Sequence, residues 1–213
     1  MSSTLPFHVD TDEQRPLAEV KVTKLKDCPM LTEGRMDDNI FQQWSIACHR
    51  YKKHSGKRPE EIVAFVADGM LEPRFVAWYH TNQSRIDAMT LDDYLDEFQK
   101  FALPRNWQPR VRDSILASFQ ENMSFANWNF YIQNLNARLK NTGSEHTLSD
   151  LAIKAHFESH MRSDLRRKVD ARRLKTSMEL ADWVAEVTEL DEELAEDRAQ
   201  TQAMIDASNA ERT

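Results

Sequence analysis

Two histidines in the sequence HFESH are the residues best spaced to bind a metal ion. His156 and His160 stand four residues apart, so both imidazoles fall on one face of a helix. Glu158 points away from that face, and the order of residues differs from the HExxH of zinc-dependent proteases. No third ligand lies nearby in the sequence, although one could come from another segment. A partly exposed polar face is the preferred interpretation, and we expect no bound metal or other cofactor.

A basic segment, MRSDLRRKVDARRL, is the part of the chain best suited to contact nucleic acid. Asp164 and Asp170 interrupt its cations, and no aromatic residue is interleaved to stack on bases. The alternative is a solvated connector whose charges pair with the acidic run ELDEELAED, within one chain or between chains. The residues that would contact nucleic acid are Arg166, Arg167, Lys168, Arg172 and Arg173.

No arrangement of residues is typical of an enzyme active site. The sequence lacks the GxSxG nucleophile motif, a Gly-rich phosphate loop, a cysteine cluster, and the Asp-Thr-Gly or Asp-Ser-Gly of aspartic proteases. We therefore expect neither catalysis nor a small-molecule substrate. The two cysteines, Cys28 and Cys48, are expected to be free thiols in a reducing compartment.

The composition favours a globular protein made of helices. With four glycines among 213 residues, few positions can adopt a positive φ, which argues against β-hairpins. No apolar run reaches the roughly 20 residues that span a membrane, and the start MSSTLPFHVDTDEQ lacks the features of a signal peptide. We therefore expect a cytoplasmic protein without membrane contact. The formal net charge of −7 argues against a chain dedicated to nucleic-acid binding.

From about residue 38 onward, apolar residues recur at steps of three and four, which predicts an all-α fold of about eight or nine helices. The proline-rich sequence LPRNWQPR is the predicted boundary between two lobes. The predicted divisions are a flexible N-terminal arm over 1–34 with one extended segment at 20–25, an N-terminal lobe over 35–104, a C-terminal lobe over 105–200 and a disordered tail over 201–213.

Two helices of the second lobe carry clear apolar faces. In MSFANWNFYIQNLNARL, the apolar residues fall on one face, whereas the Asn and Gln side chains lie off it and face either solvent or a neighbouring subunit. The last helix is predicted from about Thr176 or Ser177 to Arg198, and it keeps a strict heptad. The heptad, which is the predicted interface of the C-terminal lobe, consists of Leu180, Trp183, Val187, Leu190 and Leu194.

The run from about Phe75 to Leu139 resembles the Gag capsid region of Ty3/Gypsy-type LTR retrotransposons. That family has a Trp-containing helix and then an acidic, aromatic helix that ends in an aromatic residue and a proline. A helix with an Arg and a terminal Gln follows, and then a helix with Phe-x-x-Trp or Phe-x-x-Tyr. The matching residues are Trp78, Tyr94, Phe98, Phe101, Leu103, Pro104, Arg110, Leu116, Gln120, Phe125, Trp128 and Leu139. The Leu-Pro-x-x-Trp sequence and the long acidic final helix are most similar to fungal elements of this group.

The helix that follows Gln120 is similar to the major homology region of retroviral capsids, in which a Gln precedes an aromatic helix. Three positions depart from that pattern. No Gly follows Gln120, Met123 stands where a Glu would precede Phe125, and Tyr131 replaces the expected Arg. The helix is expected, but the hydrogen-bond network of the retroviral proteins is left in question. The residues assigned to this region are Gln120, Phe125, Trp128, Ile132, Leu135 and Leu139.

The resemblance covers about residues 35–200 and implies a two-lobed helical capsid protein. Such proteins assemble into shells, or virus-like particles, around the RNA of their element, with rings of N-terminal lobes and dimers of C-terminal lobes. Family members often carry a CCHC zinc knuckle after the capsid, and this chain contains neither that motif nor a protease or polymerase. A truncated Gag, a processed capsid and a gene derived from one are all consistent with it. Two alternatives remain, namely a helical module that dimerises without assembling and a direct RNA-binding protein.

Overall fold

A computed structural model of the protein describes residues 15–174 and 177–210. Within these residues the chain forms nine α-helices and one two-stranded antiparallel sheet, which confirms the predicted all-α fold of about eight or nine helices. The chain divides into two compact units, Met1–Trp107 and Gln108–Thr213, called here the N-terminal unit and the C-terminal unit. The division lies inside the proline-rich sequence LPRNWQPR, close to the boundary that the sequence predicts.

The described part of the N-terminal unit contains two short strands, a 3-10 turn and helices that pack on them. In chain order these elements are β1 (Val20–Lys21), β2 (Met30–Leu31), α1 (Asp38–His54), the 3-10 turn (Pro59–Glu61), α2 (Ile62–Asp68), α3 (Pro73–Ile86) and α4 (Leu91–Ala102). Helix α5 (Trp107–Leu116) starts at the last residue of this unit. The helices that follow are α6 (Phe125–Asn141), α7 (Asp150–His160), α8 (Ser163–Arg172) and α9 (Leu180–Ala210).

Short polar side chains begin four of these helices. Asp37, Thr90, Ser124 and Ser149 precede α1, α4, α6 and α7, and each side chain accepts a hydrogen bond from the backbone N–H three residues later. Each bond satisfies one of the N–H groups that a helix leaves without a partner in its first turn. The start of each helix is therefore encoded locally.

The segment that starts at residue 15 belongs to the N-terminal unit, which corrects the predicted flexible arm over residues 1–34. Strand β1 pairs antiparallel with β2, and Val20 lies opposite Leu31. Ala18 and Leu31 are buried in the core. β1 lies at the start of the extended segment predicted over residues 20–25, whereas β2, two residues long, leaves no alternating sequence pattern that can be recognised. The part of the predicted arm before residue 15 lies outside the described residues.

A buried carboxylate fastens this segment to the helices. Arg15 donates to the two oxygens of Glu72 at 3.1 and 2.7 Å, and the backbone N–H of Gly34 donates to Glu72 at 2.8 Å. Gly34 has a φ of +138°, and a Cβ there would stand 2.7 Å from Pro16 O and from Ala18 N, so the close approach requires glycine. Burial alone would raise the pKa of Glu72, but the hydrogen bonds from Arg15 and Gly34 outweigh it and lower that pKa.

Aromatic rings from α3 and α4 dominate the core of the N-terminal unit. Phe75 meets Phe98 edge to face with the ring centroids 5.0 Å apart, and Tyr94 stacks on Phe98 at 5.9 Å. At the border of the cluster, Trp78 stacks on Phe101 at 5.1 Å. Such pairs contribute about 0.5–1.5 kcal/mol each beyond the area that they bury. The core therefore rests on packing that a periodic sequence pattern can predict.

Helix α5 ends earlier than predicted. The resemblance implies a helix that contains Arg110 and has Gln120 as its terminal Gln, whereas α5 stops at Leu116. The Ser118 hydroxyl donates to the carbonyl of Ile115 at 2.8 Å, and Glu121 adopts a left-handed φ of 45°. These local bonds turn the chain before α6 begins, which frees Gln120 for contacts outside any helix.

Helix α9 ends later than predicted. It continues through residue 210, which corrects the predicted disordered tail over residues 201–213; the last three residues of that tail lie outside the described part. The stretch contains three alanines as well as Gln202 and Met204, which favour helices, and the Gln202 side chain donates to Asp206 at 2.8 Å one turn later. Its side chains are exposed, so local propensity rather than packing within the chain supports this end.

Candidate functional site

Helix α6 runs through the centre of the C-terminal unit. Its apolar residues Phe125, Trp128, Ile132, Leu135 and Leu139 are all buried. Phe157 of α7 lies 5.2 Å from the ring of Phe125 and 4.9 Å from that of Trp128. Trp183 of α9 lies 6.0 Å from Phe125. The rings of α7 and α9 thus meet on one face of α6.

A buried side chain, Gln120, connects three segments just before α6. Its backbone N–H donates to the carbonyl of His160 at 3.2 Å, and its Nε2 donates to the carbonyl of Met123 at 3.3 Å. Its Oε1 accepts the backbone N–H of Arg162 at 3.0 Å, and Nε2 is also 3.5 Å from Asp191 Oδ2. Through its backbone and its amide, Gln120 therefore joins the loop before α6, the end of α7, the start of α8 and α9.

Asp191 completes this arrangement from α9. Its Oδ2 accepts the backbone N–H of Phe125 at 2.7 Å, and its Oδ1 accepts from Nη2 of Arg162. The carboxylate is buried and stands at the N-terminal end of α6, where a negative charge interacts favourably with the helix dipole. We call Gln120, Arg162, Asp191 and the N–H of Phe125 the polar junction.

Sequence reasoning missed two members of the polar junction. Arg162 belongs to a segment interpreted as a solvated connector, and Asp191 belongs to an acidic run. They pair with Gln120 across 42 and 71 residues of chain, so no local pattern brings them together. The one signal is that Asp191 follows Val187 by four residues, which places it beside the buried stripe of α9. Charged groups supplied from elsewhere in the chain thus surround Gln120 even though Met123 and Tyr131 depart from the retroviral pattern.

The predicted interface heptad is mostly internal to the C-terminal unit, which corrects its assignment as a surface between copies. Leu180, Trp183, Val187 and Leu190 are buried, and Leu194 is half-buried. The ring of Trp183 stacks on Phe157 of α7 with the centroids 6.2 Å apart. A heptad pattern marks a face that needs covering, and α6 and α7 of the same chain cover it here.

The basic segment forms α8, and acidic residues of α9 pair with part of it. Lys168 contacts Glu193 at 3.1 Å and Asp197 at 3.5 Å, and Arg172 contacts Glu186 at 3.8 Å. Lys168 therefore pairs with the acidic run within one chain, although the segment is a helix with Leu165 and Val169 buried and not a solvated connector. The remaining candidates for nucleic-acid contact, Arg166, Arg167 and Arg173, are exposed.

The histidine pair of the sequence HFESH is stacked. The rings of His156 and His160 have centroids 4.3 Å apart, and His156 Nε2 lies 3.3 Å from the hydroxyl of Ser118, which also accepts from Trp128 Nε1 at 3.2 Å. Burial and the neighbouring His160 lower the pKa of His156, which favours its neutral form. Among the described residues, no group of three His, Cys, Asp or Glu could hold a metal ion.

The amide side chains of α6 have two kinds of surroundings: one is buried and hydrogen-bonded within the unit, and others line a groove. Asn136 is buried, accepts the backbone N–H of Leu148 at 2.8 Å and donates to its carbonyl at 3.0 Å. Asn129 and Gln133 instead line a groove of about 450 Å³ that α9 borders with Val184. Oδ1 of Asn129 is buried without a hydrogen-bond partner within the described chain. The amides therefore do not share one role.

Two large apolar side chains of the C-terminal unit are left on its surface. Phe130 of α6 is 72% exposed and Leu151 of α7 is 75% exposed. Both lie off the buried faces of their helices. Scattered exposed apolar residues are normal, but side chains this large and this exposed on two central helices are candidates for contact with a partner.

Both cysteines are free thiols. The Cys28 thiol lies 3.1 Å from the carbonyl of Phe65, and Cys48 is buried. Burial, with a smaller contribution from Asp68, raises the pKa of Cys28 to about 11. A raised pKa disfavours the thiolate, so neither the position nor the electrostatics of Cys28 is typical of a nucleophile.

No protein-family model matches the chain, and neither the curated proteins nor the solved structures contain a match. Among the described helices, none combines the length and the apolar composition needed to cross a membrane.

Proposed function

We propose that the protein is a structural capsid protein of the Gag type, which self-associates into a shell in the cytoplasm and does not catalyse a reaction. The observation that carries this proposal is the polar junction at the start of α6. Gln120 supports it because its side-chain amide joins the loop before α6, the connection between α7 and α8, and α9. A chain of two helical units, each with its own core, is the architecture that such a function requires.

Self-association needs surface that the units do not use for their own folding. The heptad of α9 is buried and does not supply it. Phe130 and Leu151 supply exposed apolar area on α6 and α7 without contributing to the core. In a symmetric contact the same patch of both copies is buried, so each exposed side chain contributes twice to the interface. We therefore assign the contact between copies to these two residues.

The test is the size of the purified full chain over a series of protein and salt concentrations. Light scattering and electron microscopy should find particles, or oligomers that grow with concentration. The double variant Phe130→Ser with Leu151→Ser should reduce the assembled fraction at least tenfold. Its helical content and melting temperature should stay near those of the parent, because substitutions at exposed positions usually change stability by less than about 0.5 kcal/mol.

The matched control is Met204→Ser, which removes a side chain that is 73% exposed on the last turns of α9. This variant should assemble as the parent does. A parent chain that stays monomeric at every concentration and salt tested contradicts the proposal. If the double variant assembles as the parent does, Phe130 and Leu151 do not form the contact between copies, although the proposed function still stands.

RNA inside the shell is the second part of the proposal, and it rests on the exposed arginines of α8 and of the residue that follows it. Arg166, Arg167 and Arg173 are available, whereas acidic residues of α9 neutralise Lys168. Replacing the three arginines by Gln should weaken RNA binding and reduce its dependence on salt concentration, because fewer counterions are released. Three substitutions in the N-terminal unit, Lys52→Gln, Lys53→Gln and Lys57→Gln, remove the same charge as a control. Equal losses from both sets would contradict this assignment.

A further inference from the structure

The exposed side of α6 carries no charge. The sequence of residues 122–137 is NMSFANWNFYIQNLNA, which contains no Asp, Glu, Lys or Arg, although 30% of the whole chain is charged. On this side of the helix Phe130 is 72% exposed and Tyr131 is 42% exposed. Two copies with a formal net charge of −7 repel each other, and that repulsion is weakest where an uncharged face meets its own kind. The exposed side of α6 therefore fits a second copy of the chain better than a charged partner.

The groove that Asn129 and Gln133 line lies beside both residues assigned to the contact between copies. Asp150 of α7 lines the same groove. Phe130 follows Asn129 in the chain, and Leu151 follows Asp150. The volume of about 450 Å³ falls within the ~300–1,000 Å³ of ligand sites, so the groove can take a large side chain. A contact at Phe130 and Leu151 therefore brings a partner to this groove.

Tyr131 and the groove lie on opposite sides of Phe130 around α6. An α-helix turns by about 100° per residue, so Tyr131 is about 100° from Phe130 in one direction. Asn129 is about 100° from Phe130 in the other direction, and Gln133 is about 60° from it on that same side. Along the helix axis Tyr131 stands midway between Asn129 and Gln133. A protruding side chain and a groove thus stand at the same height on the two sides of one exposed ring.

A two-fold axis parallel to α6 and next to Phe130 brings these two sides together. This rotation exchanges the sides of the helix and keeps the height of every residue. Tyr131 of each copy therefore meets the groove of the other, and Phe130 meets its counterpart at the axis. An antiparallel pairing would instead bring like sides together and place Tyr131 beside Tyr131.

The amides of the groove can bind a tyrosine hydroxyl. Oδ1 of Asn129 is buried, which leaves its Nδ2 to donate. Gln133 is partly exposed, and its Oε1 can accept. A tyrosine hydroxyl accepts one hydrogen bond and donates another, so a single side chain satisfies both amides. Val184 gives the ring an apolar wall, which suits a residue with an apolar body and a polar tip.

We propose that two copies of the C-terminal unit pair with their α6 helices parallel, and that Tyr131 of each copy occupies the groove of the other. Its hydroxyl accepts from Asn129 and donates to Gln133 there. This inference rests on the proposed self-association and specifies its geometry. Because the contact is two-fold, each of these hydrogen bonds occurs twice.

The first test is a double-mutant cycle on the full chain, with the dimer dissociation constant measured by sedimentation equilibrium. Tyr131→Phe, which removes the hydroxyl alone, and Gln133→Ala should each weaken association at least fivefold. The double variant should be no more than twofold weaker than the weaker single variant, because both substitutions remove the same hydrogen bond. The control is Gln99→Ala, at a partly exposed glutamine of α4. It should leave association within twofold of the parent, and it should not alter the effect of Tyr131→Phe.

The outcomes of the cycle separate this geometry from the proposed function. If the parent associates but the effects of Tyr131→Phe and Gln133→Ala multiply independently, the hydroxyl does not meet the groove. The geometry is then overturned, and the proposed function stands. A parent that stays monomeric at every concentration overturns both.

The second test distinguishes the parallel pairing from an antiparallel one. Chains with Tyr131→Cys are mixed with chains that carry Gln133→Cys, treated with a short bis-maleimide, and mapped by mass spectrometry of the linked peptides. The control mixture replaces the second chain by Asn127→Cys, at an exposed residue on the same side of α6 as Tyr131. The link between positions 131 and 133 should form at least fivefold faster than the link between 131 and 127. Equal rates, or a faster link between position 131 of both copies, would overturn the proposal.

Discussion

The core of the N-terminal unit is dominated by aromatic rings that contact one another, whereas the core of the C-terminal unit combines aromatic rings with buried polar side chains. In the described part of the N-terminal unit, Glu72 is the buried residue that carries a formal charge. The buried polar and charged residues of the C-terminal unit are Gln120, Asn136, Lys154, His156 and Asp191. Apolar burial has no preferred direction, whereas hydrogen bonds require particular partners. The second unit therefore depends far more on specific pairs of residues.

Both units use charge to hold a segment that is not part of a long helix. In the N-terminal unit the Arg15–Glu72 pair fastens the first described residues, and in the C-terminal unit the Arg162–Asp191 pair fastens the entry to α6. The side chain of Arg15 is more than a third exposed, whereas that of Arg162 is largely buried. Breaking the Arg162–Asp191 pair leaves a charge that water cannot easily reach. Breaking it should therefore destabilise the protein more than breaking the Arg15–Glu72 pair.

The largest effect is expected from Asp191→Ala. Removing one partner of a buried ion pair leaves Arg162 uncompensated and the N–H of Phe125 without an acceptor, which costs about 3–5 kcal/mol. Denaturant-dependent hydrogen exchange, read separately for peptides of the two units, should find the loss in the C-terminal unit. Asp197→Ala on the same helix is the control, because Asp197 is 69% exposed and forms an exposed ion pair. A loss below about 1 kcal/mol for Asp191→Ala would remove the distinction between the units.

A smaller effect is expected from Gln120→Ala. The substitution leaves the N–H of Arg162 and the carbonyl of Met123 without their side-chain partner, and unsatisfied buried groups cost about 1–3 kcal/mol. The same exchange measurement should show faster exchange at the start of α6 than at its end. Gln108→Ala is the control, since its amide forms an exposed hydrogen bond to Thr142 and a partly buried one with Ser144. Equal effects of the two substitutions would indicate that the polar junction does not organise α6.

Acid should separate the two units. Burial and His160 lower the pKa of His156 from 6.5, so the unfolded chain binds more protons at this site and stability is lost as pH falls below 6.5 towards the folded pKa. The pKa of Glu72 is lowered from 4.5, so its contribution persists above pH 4.5 and is lost as pH falls through the folded value.

Exchange measured from pH 7 to pH 4 should therefore show the C-terminal unit weakening first. His156→Gln should reduce the change in stability of the C-terminal unit with pH. His80→Gln, at an exposed histidine of the other unit, should leave that change as it is in the parent. If the N-terminal unit weakens first, or if His156→Gln keeps the full slope, the stacked histidines do not control the acid response.

The smallest effect is expected from Lys168→Ala. Its ion pairs with Glu193 and Asp197 join α8 to α9 at a partly exposed surface, where such pairs contribute about 0.2–1 kcal/mol. In low salt, Lys168→Ala should unfold at a slightly lower temperature than the parent. In high salt, which screens the ion pairs of the parent, this difference should disappear. A loss comparable to that of Asp191→Ala would mean that surface charge, rather than the polar junction, holds α9 in place.

The helices were predictable because each carries its own evidence. The apolar steps of α6 and α9, the capping residues Asp37 and Thr90, and the scarcity of glycine are all local properties of the sequence. β1 falls at the start of the extended segment predicted over residues 20–25, whereas β2 was missed because two residues are too few to show an alternation. The polar junction was missed because Arg162 and Asp191 come from segments whose surface character dominates their neighbours.

The sequence by itself determined that the chain is helical and which faces of its helices are apolar, since amphipathic periodicity depends on neighbours within two turns. It left open what covers each apolar face. The heptad of α9 could have met a second copy, and the tertiary structure decided that α6 and α7 of the same unit cover it. The tertiary structure likewise decided that Asp191 is buried at the start of α6, because a partner 66 residues away in the chain is chosen by packing and not by sequence spacing.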